Sequence, residues 1–339
     1  MPALPISRAF RNVLTLGMTL AGLSAGTALA ATPVTVVLGY IPDVEDFGAY
    51  YAKQMGYFTD EGLDVTIVPG GNGIDQVQMV SSGQATIGIA NPEQILAAID
   101  KGVAFKVFAS EFQTSPIAMT CRKDSGVTKP ADLKGKRLGI KQNAQLYAEL
   151  FLKKNGLALS DIVPTTIGGS DISLIIAGKI DCMITTFAFN EPALIEQAGV
   201  PVTVLRVGDY GLNSAVDSYF VQADWYKAPT HQDILVKYLK AETKAWDAFF
   251  KDPAGMAKWF LDGGFNDGLN LEQQTFQATT QVKYMTDALT AEKGIFWVNP
   301  KTWQETAENA VATGAAKAVP KFDDLLTTDI LEKVQPPKH

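Results

Sequence analysis

The chain has 339 residues, of which 47% are hydrophobic and 19% charged, with a formal net charge of −7. This composition describes a globular protein of two domains or one large one and excludes a disordered tail or a collagen-like repeat. The acidic balance excludes a basic footprint for a nucleic-acid backbone, and two histidines with two cysteines are too few for most metal clusters or disulfide frameworks.

At the N-terminus, Arg8 and Arg11 precede a mainly apolar run from Val13 to Leu23, and Ala28-Leu29-Ala30 reads as an A-x-A cleavage site. This three-part pattern predicts a secretory signal over residues 1–30 and a mature chain beginning near Ala31. Losing two arginines and no acid takes the net charge to −9. No later segment reaches the ~18 uninterrupted apolar residues of a membrane span, so the mature protein is expected to be soluble beyond the membrane. Gly22-Leu23-Ser24-Ala25-Gly26 has the spacing of a hydrolase nucleophile elbow, but it lies in the signal and lacks the strand–turn–helix setting which that motif needs.

In the mature chain, β-branched runs predict strands at 34–39, 63–68, 86–90 and 105–109, alternating with helical patterns at 47–55, 74–82 and 92–101. The rhythm restarts after Pro116, with strands at 117–122, 137–141, 163–167, 182–187 and 202–205 and a helix at 145–155. Such alternation predicts parallel sheets built from βαβ units. From Thr230 onward the signal is mostly helical, with Trp246, Phe249, Phe250, Trp259 and Phe260 at near-helical spacings; amphipathic core is the stronger reading of these rings and a ligand cage the weaker. The tail 335–339 is expected to fray.

Several stretches resemble periplasmic solute-binding proteins of ABC importers, in the branch that takes nitrate, sulfonates, taurine and thiamine pyrimidines. Tyr51-Ala52-Lys53-Gln54-Met55-Gly56-Tyr57-Phe58 followed by Glu61-Gly62-Leu63-Asp64-Val65 is similar to one family signature, and Ser82-Gly83-Gln84-Ala85 to another. Lys134-Gly135-Lys136-Arg137-Leu138-Gly139 resembles the opening of the second lobe, and Gly178-Lys179-Ile180-Asp181 and Asn190-Glu191-Pro192 resemble later elements. The resemblance implies a type II periplasmic-binding-protein fold, two α/β lobes joined by crossing segments near 110–116 and 211–219. The expected division is lobe 1 over 31–112, lobe 2 over 113–214, a return to lobe 1 with C-terminal helices over 215–334, and then the tail. It further implies a periplasmic monomer that captures a small molecule and delivers it to an ABC permease and ATPase complex in the inner membrane, with no cofactor and no metal.

In parallel α/β sheets, ligands sit outside the carboxyl ends of the strands. The loops expected there carry Asp43, Glu45, Asp46, Glu93, Glu111, Asp171 and Glu191, with neither arginine nor lysine. Anion binders want arginine, lysine or helix N-terminal N–H groups. An acidic, amide-rich rim instead suits a ligand that donates hydrogen bonds or carries positive charge, although some of these acids, such as Asp171, have the setting of helix caps. The expected ligand contacts are Tyr40, Asp43, Glu45, Asn91, Glu93, Gln113, Ser115, Asn143, Phe187, Asn190 and Glu191, with Tyr40, Asp43, Gln113 and Glu191 leading. Phe187 and Phe189 alternate, so one of the pair faces the core.

Tyr40-Ile41-Pro42-Asp43 looks like the family's W-x-P-N stretch, with tyrosine for tryptophan and aspartate for asparagine; the histidine usual just beyond is Asp46 here. A stacked nitrogenous heteroaromatic of the thiamine-pyrimidine kind is the leading expectation. A sulfonate, taurine or nitrate anion, and riboflavin or another flat nutrient, remain alternatives. Gly70-Gly71-Asn72-Gly73 follows a strand and opens a helix but lacks both the dinucleotide fingerprint and the P-loop lysine, so it reads as a tight turn with at most one backbone contact to ligand. Fungal thiamine-pyrimidine synthases of the family use an internal histidine and a cysteine-rich motif. This mature chain has His231 and terminal His339 and no clustered cysteines, so a non-enzyme is expected, with a synthase-like enzyme the minor alternative. Cys121 and Cys182 fall in strands that the family topology makes neighbours; a cross-strand disulfide and two buried thiols are equally expected.

Overall fold

β-Branched alternation places one row of side chains on each face of a strand, and helices on both faces then bury both rows. The computed structural model describes residues 30–71, 73–142, 144–168 and 171–339; the expected leader, with Gly22–Gly26 inside it, and Asn72 and Asn143 lie outside the described residues. Among the described residues, ten strands form two five-stranded sheets. The first contains β1 (Thr32–Val37), β2 (Leu63–Val68), β3 (Ile87–Ala90), β4 (Phe105–Phe112) and β10 (Val216–Gln222), in the order β2-β1-β3-β10-β4. The second contains β5 (Ile117–Arg122), β6 (Arg137–Lys141), β7 (Val163–Ile167), β8 (Cys182–Phe187) and β9 (Val202–Arg206), in the order β7-β6-β8-β5-β9.

The sheets are not wholly parallel as the βαβ rhythm predicts. β10 runs antiparallel to β3 and β4, and β5 runs antiparallel to β8 and β9. The reason is connectivity. β4 ends at the carboxyl edge of its sheet, the chain crosses directly, and β5 must enter the second sheet from that same edge; β10 enters the first sheet from β9 in the same way. Both antiparallel strands therefore begin where their parallel neighbours end.

Each sheet has its own packing. The largest apolar cluster joins Val34, Val36, Ile87, Val107 and Phe220 to Phe47 and to the C-terminal residues Trp246, Phe249 and Trp303. In the 23-residue helix Pro229–Lys251, Leu235, Tyr238, Leu239, Glu242, Ala245, Trp246 and Phe249 are buried, so those aromatics are core. Two apolar clusters pack the second sheet, one joining Leu138 of β6 to Phe151 and Leu152, the other joining Ile167 of β7 and Met183 of β8 to Ile175 and Ile195. Cys121 and Cys182 are register partners on β5 and β8 and form a disulfide. Asp181 accepts from the Arg137 backbone N–H and guanidinium while Gly178 O takes another guanidinium N–H, so the Gly178–Asp181 motif anchors the start of β6.

The last residues, where fraying is expected, make specific contacts: Ile295 N–H donates to Pro337 O, and the His339 ring stacks on Phe250 with centroids 4.2 Å apart. Among the described residues no helix is long and apolar enough to cross a membrane.

Candidate functional site

A cavity of about 170 Å³ lies between the carboxyl edges of the two sheets, lined by Gly39, Tyr40, Glu45, Asn91 and Asp217 from the first and by Lys141, Phe187, Asn190 and Glu191 from the second. An outer chamber of about 500 Å³ shares Asn91, Lys141 and Phe187 with it and adds Glu93, Tyr147, Leu146 and the Thr313–Ala315 turn. The outer chamber is largely apolar; the inner cavity is where the ionisable groups gather.

The wall of the first lobe is built by backbone geometry. Gly70 N–H donates to Tyr40 O at 2.9 Å, and a Cβ on Gly70 would fall against the Leu38 and Tyr40 carbonyls. A glycine is therefore required where the two chains pass, and the Gly70 turn backs the Tyr40 loop rather than facing the cavity. Tyr40 itself stands 49% exposed at the rim. Glu45 sits in a short 3-10 turn, Val44–Asp46, capped by Asp43, whose Oδ1 accepts from the Glu45 N–H at 2.7 Å.

That turn is clamped by the helix Leu271–Met285, whose glutamines at 273, 277 and 281 share one face at the i, i+4 spacing. Gln274 Oε1 accepts from the Val44 N–H at 2.9 Å, Gln277 Nε2 donates to Asp43 Oδ1 at 3.0 Å, and Gln281 Nε2 donates to Val44 O at 3.0 Å. Each such bond contributes about 1 kcal/mol net, but leaving its buried partner unpaired costs more. Gln273 Nε2 reaches across the cleft to Asn190 Oδ1 at 3.0 Å, so the same helix touches both walls.

Opposite, β8 carries a bulge. Its register against β5 shifts between Ala118 and Met119, and Thr185 has φ +64°, an unusual conformation for a β-branched residue. Thr185 O accepts from Lys141 Nζ at 2.7 Å, and Glu191 Oε1 lies 3.4 Å from the same ammonium. Glu191, the first residue of the helix Glu191–Gln197, also takes the Phe187 N–H at 2.7 Å. Phe187 is left lining the cavity, while Phe189 is fully buried and stacked on Phe112.

Burial dominates the electrostatics of the first lobe. It pushes the Asp43 carboxyl up to about 6, against the opposing hydrogen bonds from the Glu45 N–H and Gln277. Burial, reinforced by the charges of Asp217 and Asp43, holds Glu45 well above the usual carboxylate range. Asp46 and Glu111 are raised in the same way, and burial also raises Glu93 and Asp217. Groups of this kind favour a neutral or hydrogen-bond-donating ligand over an anion.

Of the expected contacts, the structure brings Tyr40, Glu45, Asn91, Phe187, Asn190 and Glu191 together on the inner wall and places Glu93 in the outer chamber. It does not bring Asp43, Gln113 or Ser115 there. Asp43 caps and anchors the turn beneath Glu45. Gln113 Nε2 donates to Ser110 O and Trp297 O, packing the first crossing onto the C-terminal segment. Ser115 Oγ lies 3.3 Å from Ser214 Oγ, joining the two crossings. Asn143 lies outside the described residues. His231 stacks on Trp225, and neither it nor His339 lines the cavity.

Two lining groups escape the sequence reading. Lys141, read as the last residue of a strand, corrects the expectation of a cleft without lysine. Asp217 is the second residue of an antiparallel strand, and a search confined to carboxyl ends passes over it. The glutamine spacing at 273, 277 and 281 was a signal for the clamp, although not for its target.

Two mixed α/β sheets with a polar cavity between their edges, each crossing running directly from one sheet to the other, define the type II periplasmic-binding-protein fold. The aliphatic sulphonate binding protein SsuA of Escherichia coli superposes with a TM-score of 0.62 at 15% identity, covering 91% of this chain and 93% of that one. A mutant of the desulfurization enzyme DSZB, in complex with biphenyl-2-sulfinic acid, shares the fold with a TM-score of 0.58 at 12% identity, covering 90% and 99%. The chain belongs to the NMT1/THI5-like family, whose pattern matches residues 44–256. Similar sequences include the riboflavin-binding protein RibY of Chloroflexus aurantiacus, 23% identical over 88% of this chain and 86% of that protein. A formylaminopyrimidine-binding protein of Halalkalibacterium halodurans is 22% identical over 66% and 68%. The 4-amino-5-hydroxymethyl-2-methylpyrimidine phosphate synthase of Candida albicans is 24% identical over 77% and 79%. The similar sequences thus include proteins named as binders and one named as a synthase.

Proposed function

We propose that the protein is a periplasmic solute-binding protein that captures a small nitrogenous heteroaromatic molecule and delivers it to an ABC permease and ATPase complex. The observation that carries this reading is the inner cavity: two carboxyl groups, Glu45 and Asp217, on one wall, and aromatic rings from Tyr40 and Phe187 at its edges. The rings offer stacking surface and the carboxyls accept N–H groups. Lys141, the cation lining the cavity, already serves Thr185 O and Glu191, which argues against an anion as the primary ligand. The names of the aminopyrimidine and riboflavin binders among the relatives agree with a flat nitrogenous ring.

In this reading the protein acts as a monomer without cofactor or metal and is not an enzyme; among the described residues the cavity lining holds carboxyl, amide, ammonium and aromatic groups. The lobes are assigned to 31–112 with 215–334 and to 113–214, with the leader at 1–30 removed on export. Riboflavin is the second reading, favoured by the outer chamber of about 500 Å³, which is larger than a bare pyrimidine needs.

A thermal-unfolding panel on ligand-stripped protein tests the proposal, with 4-amino-5-hydroxymethyl-2-methylpyrimidine, riboflavin, taurine, a longer alkanesulfonate and nitrate. A ligand at 100 times its Kd stabilises by about 2.7 kcal/mol. A shift with the pyrimidine or the flavin is expected. A shift with the anions alone would overturn the ligand assignment, and formation of a chemically altered pyrimidine on incubation would overturn the non-enzyme reading.

A further inference from the structure

On the helix Leu271–Met285 the side-chain amides of Gln273, Gln274 and Gln277 form one hydrogen-bonded chain, and two backbone groups fix its direction. A backbone N–H can only donate. Val44 N–H donates to Gln274 Oε1 at 2.9 Å, which leaves Gln274 Nε2 facing the other two amides. Glu45 N–H donates to Asp43 Oδ1 and so marks that oxygen as an acceptor; the Gln277 atom 3.0 Å from it is Nε2. Gln277 Oε1 then accepts from Gln274 Nε2 at 3.2 Å and from Gln273 Nε2 at 2.9 Å, while Gln273 Oε1 accepts from Gln274 Nε2. The second N–H of Gln273 donates to Asn190 Oδ1 at 3.0 Å.

Asp43, Gln273, Gln274 and Gln277 are each at most 5% exposed, so water does not stand in for a lost partner. Turning any one amide over sets like groups face to face in a buried site, and the chain therefore has a single direction. It ends on the opposite wall, where Asn190 lines the cavity. By residue type an asparagine offers a donor and an acceptor alike. With Oδ1 committed to Gln273, the polar group that Asn190 keeps for a ligand is Nδ2, which makes no hydrogen bond among the described residues.

We propose that the chain of Gln274, Gln277 and Gln273 is a specificity device: it holds Asn190 as an N–H donor toward the cavity, where Asn190 reads a ring nitrogen or ring carbonyl of the ligand. Gln273 and Gln277 are positioning residues, and Asn190 is the group that touches the ligand. The inference rests on the binding reading above and deepens it. A heteroaromatic ring with an acceptor atom satisfies the Asn190 N–H, whereas its carbocyclic counterpart leaves that donor unpaired. Because Gln274 and Gln277 also hold the Val44–Asp46 turn, the same amides tie the orientation of Asn190 to the turn that carries Glu45.

The test has two arms. The first needs no ligand and follows the side-chain amide signals in a proton–nitrogen correlation spectrum. Gln277→Met, two hydrogen bonds away from Asn190, shifts the Asn190 NH2 signals, and in a Gln273→Met background the same substitution leaves them in place. Gln274→Met is the second variant should Gln277→Met not fold. Asn190 signals that neither substitution moves overturn the proposal.

The second arm is calorimetric titration with 4-amino-5-hydroxymethyl-2-methylpyrimidine and with 2-amino-4-methylbenzyl alcohol, the same molecule with both ring nitrogens replaced by C–H. Wild type favours the pyrimidine by at least about tenfold, the effect of leaving one donor unpaired. Gln273→Glu keeps the acceptor for Gln274 but cannot donate, so Asn190 turns its N–H toward the new carboxylate and offers Oδ1 to the cavity. The ratio of the two Kd values then falls about tenfold, as it does in Asn190→Asp. Gln273→Met is the second variant should Gln273→Glu not fold. A merely structural role weakens both ligands alike; a ratio unchanged in the Gln273 variants overturns the proposal. Failure of the pyrimidine and of riboflavin to bind wild type would instead sink the functional reading, with the direction of the amide chain then decided by the spectrum alone.

Discussion

Glu242 tests the electrostatic account most directly, because its charge lies wholly inside the first lobe. It sits mid-helix at 1% exposure, accepts from Tyr219 OH at 3.0 Å through Oε1, and has no partner for Oε2. Burial raises its carboxyl from an ordinary 4.5 to about 8. The folded chain thus keeps a proton that the unfolded chain sheds across this interval. The stability contributed by that proton is fully present below about pH 4.5 and is lost as pH rises through about 8. At about 1.4 kcal/mol per pH unit between the two values, the loss is of the order of 5 kcal/mol. Urea unfolding of wild type and Glu242→Gln at a pH near each end of the window measures it. Glutamine keeps an acceptor for Tyr219 and cannot ionise, so the variant loses much less stability than wild type on going to alkaline pH and is the more stable protein there. Glu45 shifts alike in both proteins and cancels in the comparison, whereas Asp46 and Glu111, raised in part by the Glu242 charge, shift less in the variant and add to the difference with the same sign. Equal pH dependence in the two proteins would refute the argument.

Alanine at Tyr40 or Phe187 weakens a bound heteroaromatic by roughly 1–3 kcal/mol, by analogy with base–aromatic stacking; titration calorimetry reads it, and an unchanged Kd removes that ring from the site. Gln277→Leu takes one hydrogen bond from the buried Asp43 carboxyl and costs about 1–3 kcal/mol in urea unfolding, with weaker ligand binding because the Glu45 turn loosens. Replacing both cysteines by alanine opens a crosslink between residues 61 positions apart and lowers stability by about 2–4 kcal/mol, whereas ligand affinity stays within about twofold because the disulfide lies on β5 and β8 outside the cavity lining. Wild-type stability under reducing agent should fall by a comparable amount, and no fall would mean that the pair stabilises nothing.

Local order was legible because it obeys local rules. The strands at 63–68, 117–122, 137–141, 163–167 and 182–187 begin and end where β-branched runs meet turn residues, and the helix at 92–99 follows an Asn-Pro start. The cavity wall was legible wherever a residue follows the carboxyl end of a parallel strand, as Tyr40, Asn91 and Asn190 do, or forms that end, as Phe187 does. Asp43 misled because a carboxylate in a cleft loop reads alike whether it faces a ligand or caps the next turn. Gln113 and Ser115 misled because crossing segments must satisfy their own buried polar groups before they can serve a ligand.

The sequence by itself determined an acidic, mixed α/β chain with two repeats of one strand–helix rhythm and an aromatic helical C-terminus, because periodicity and turn chemistry depend on neighbours a few residues away. Only the tertiary structure decided that β5 and β10 run against their sheets, that Cys121 meets Cys182, that a glutamine helix more than 200 residues downstream clamps the Glu45 turn, and that Asp217 and Lys141 face the cavity. Those outcomes depend on which distant segments share an edge or a face. Direct crossings between sheets set that pairing, and burial, not residue type, decides which of the many acids holds its proton.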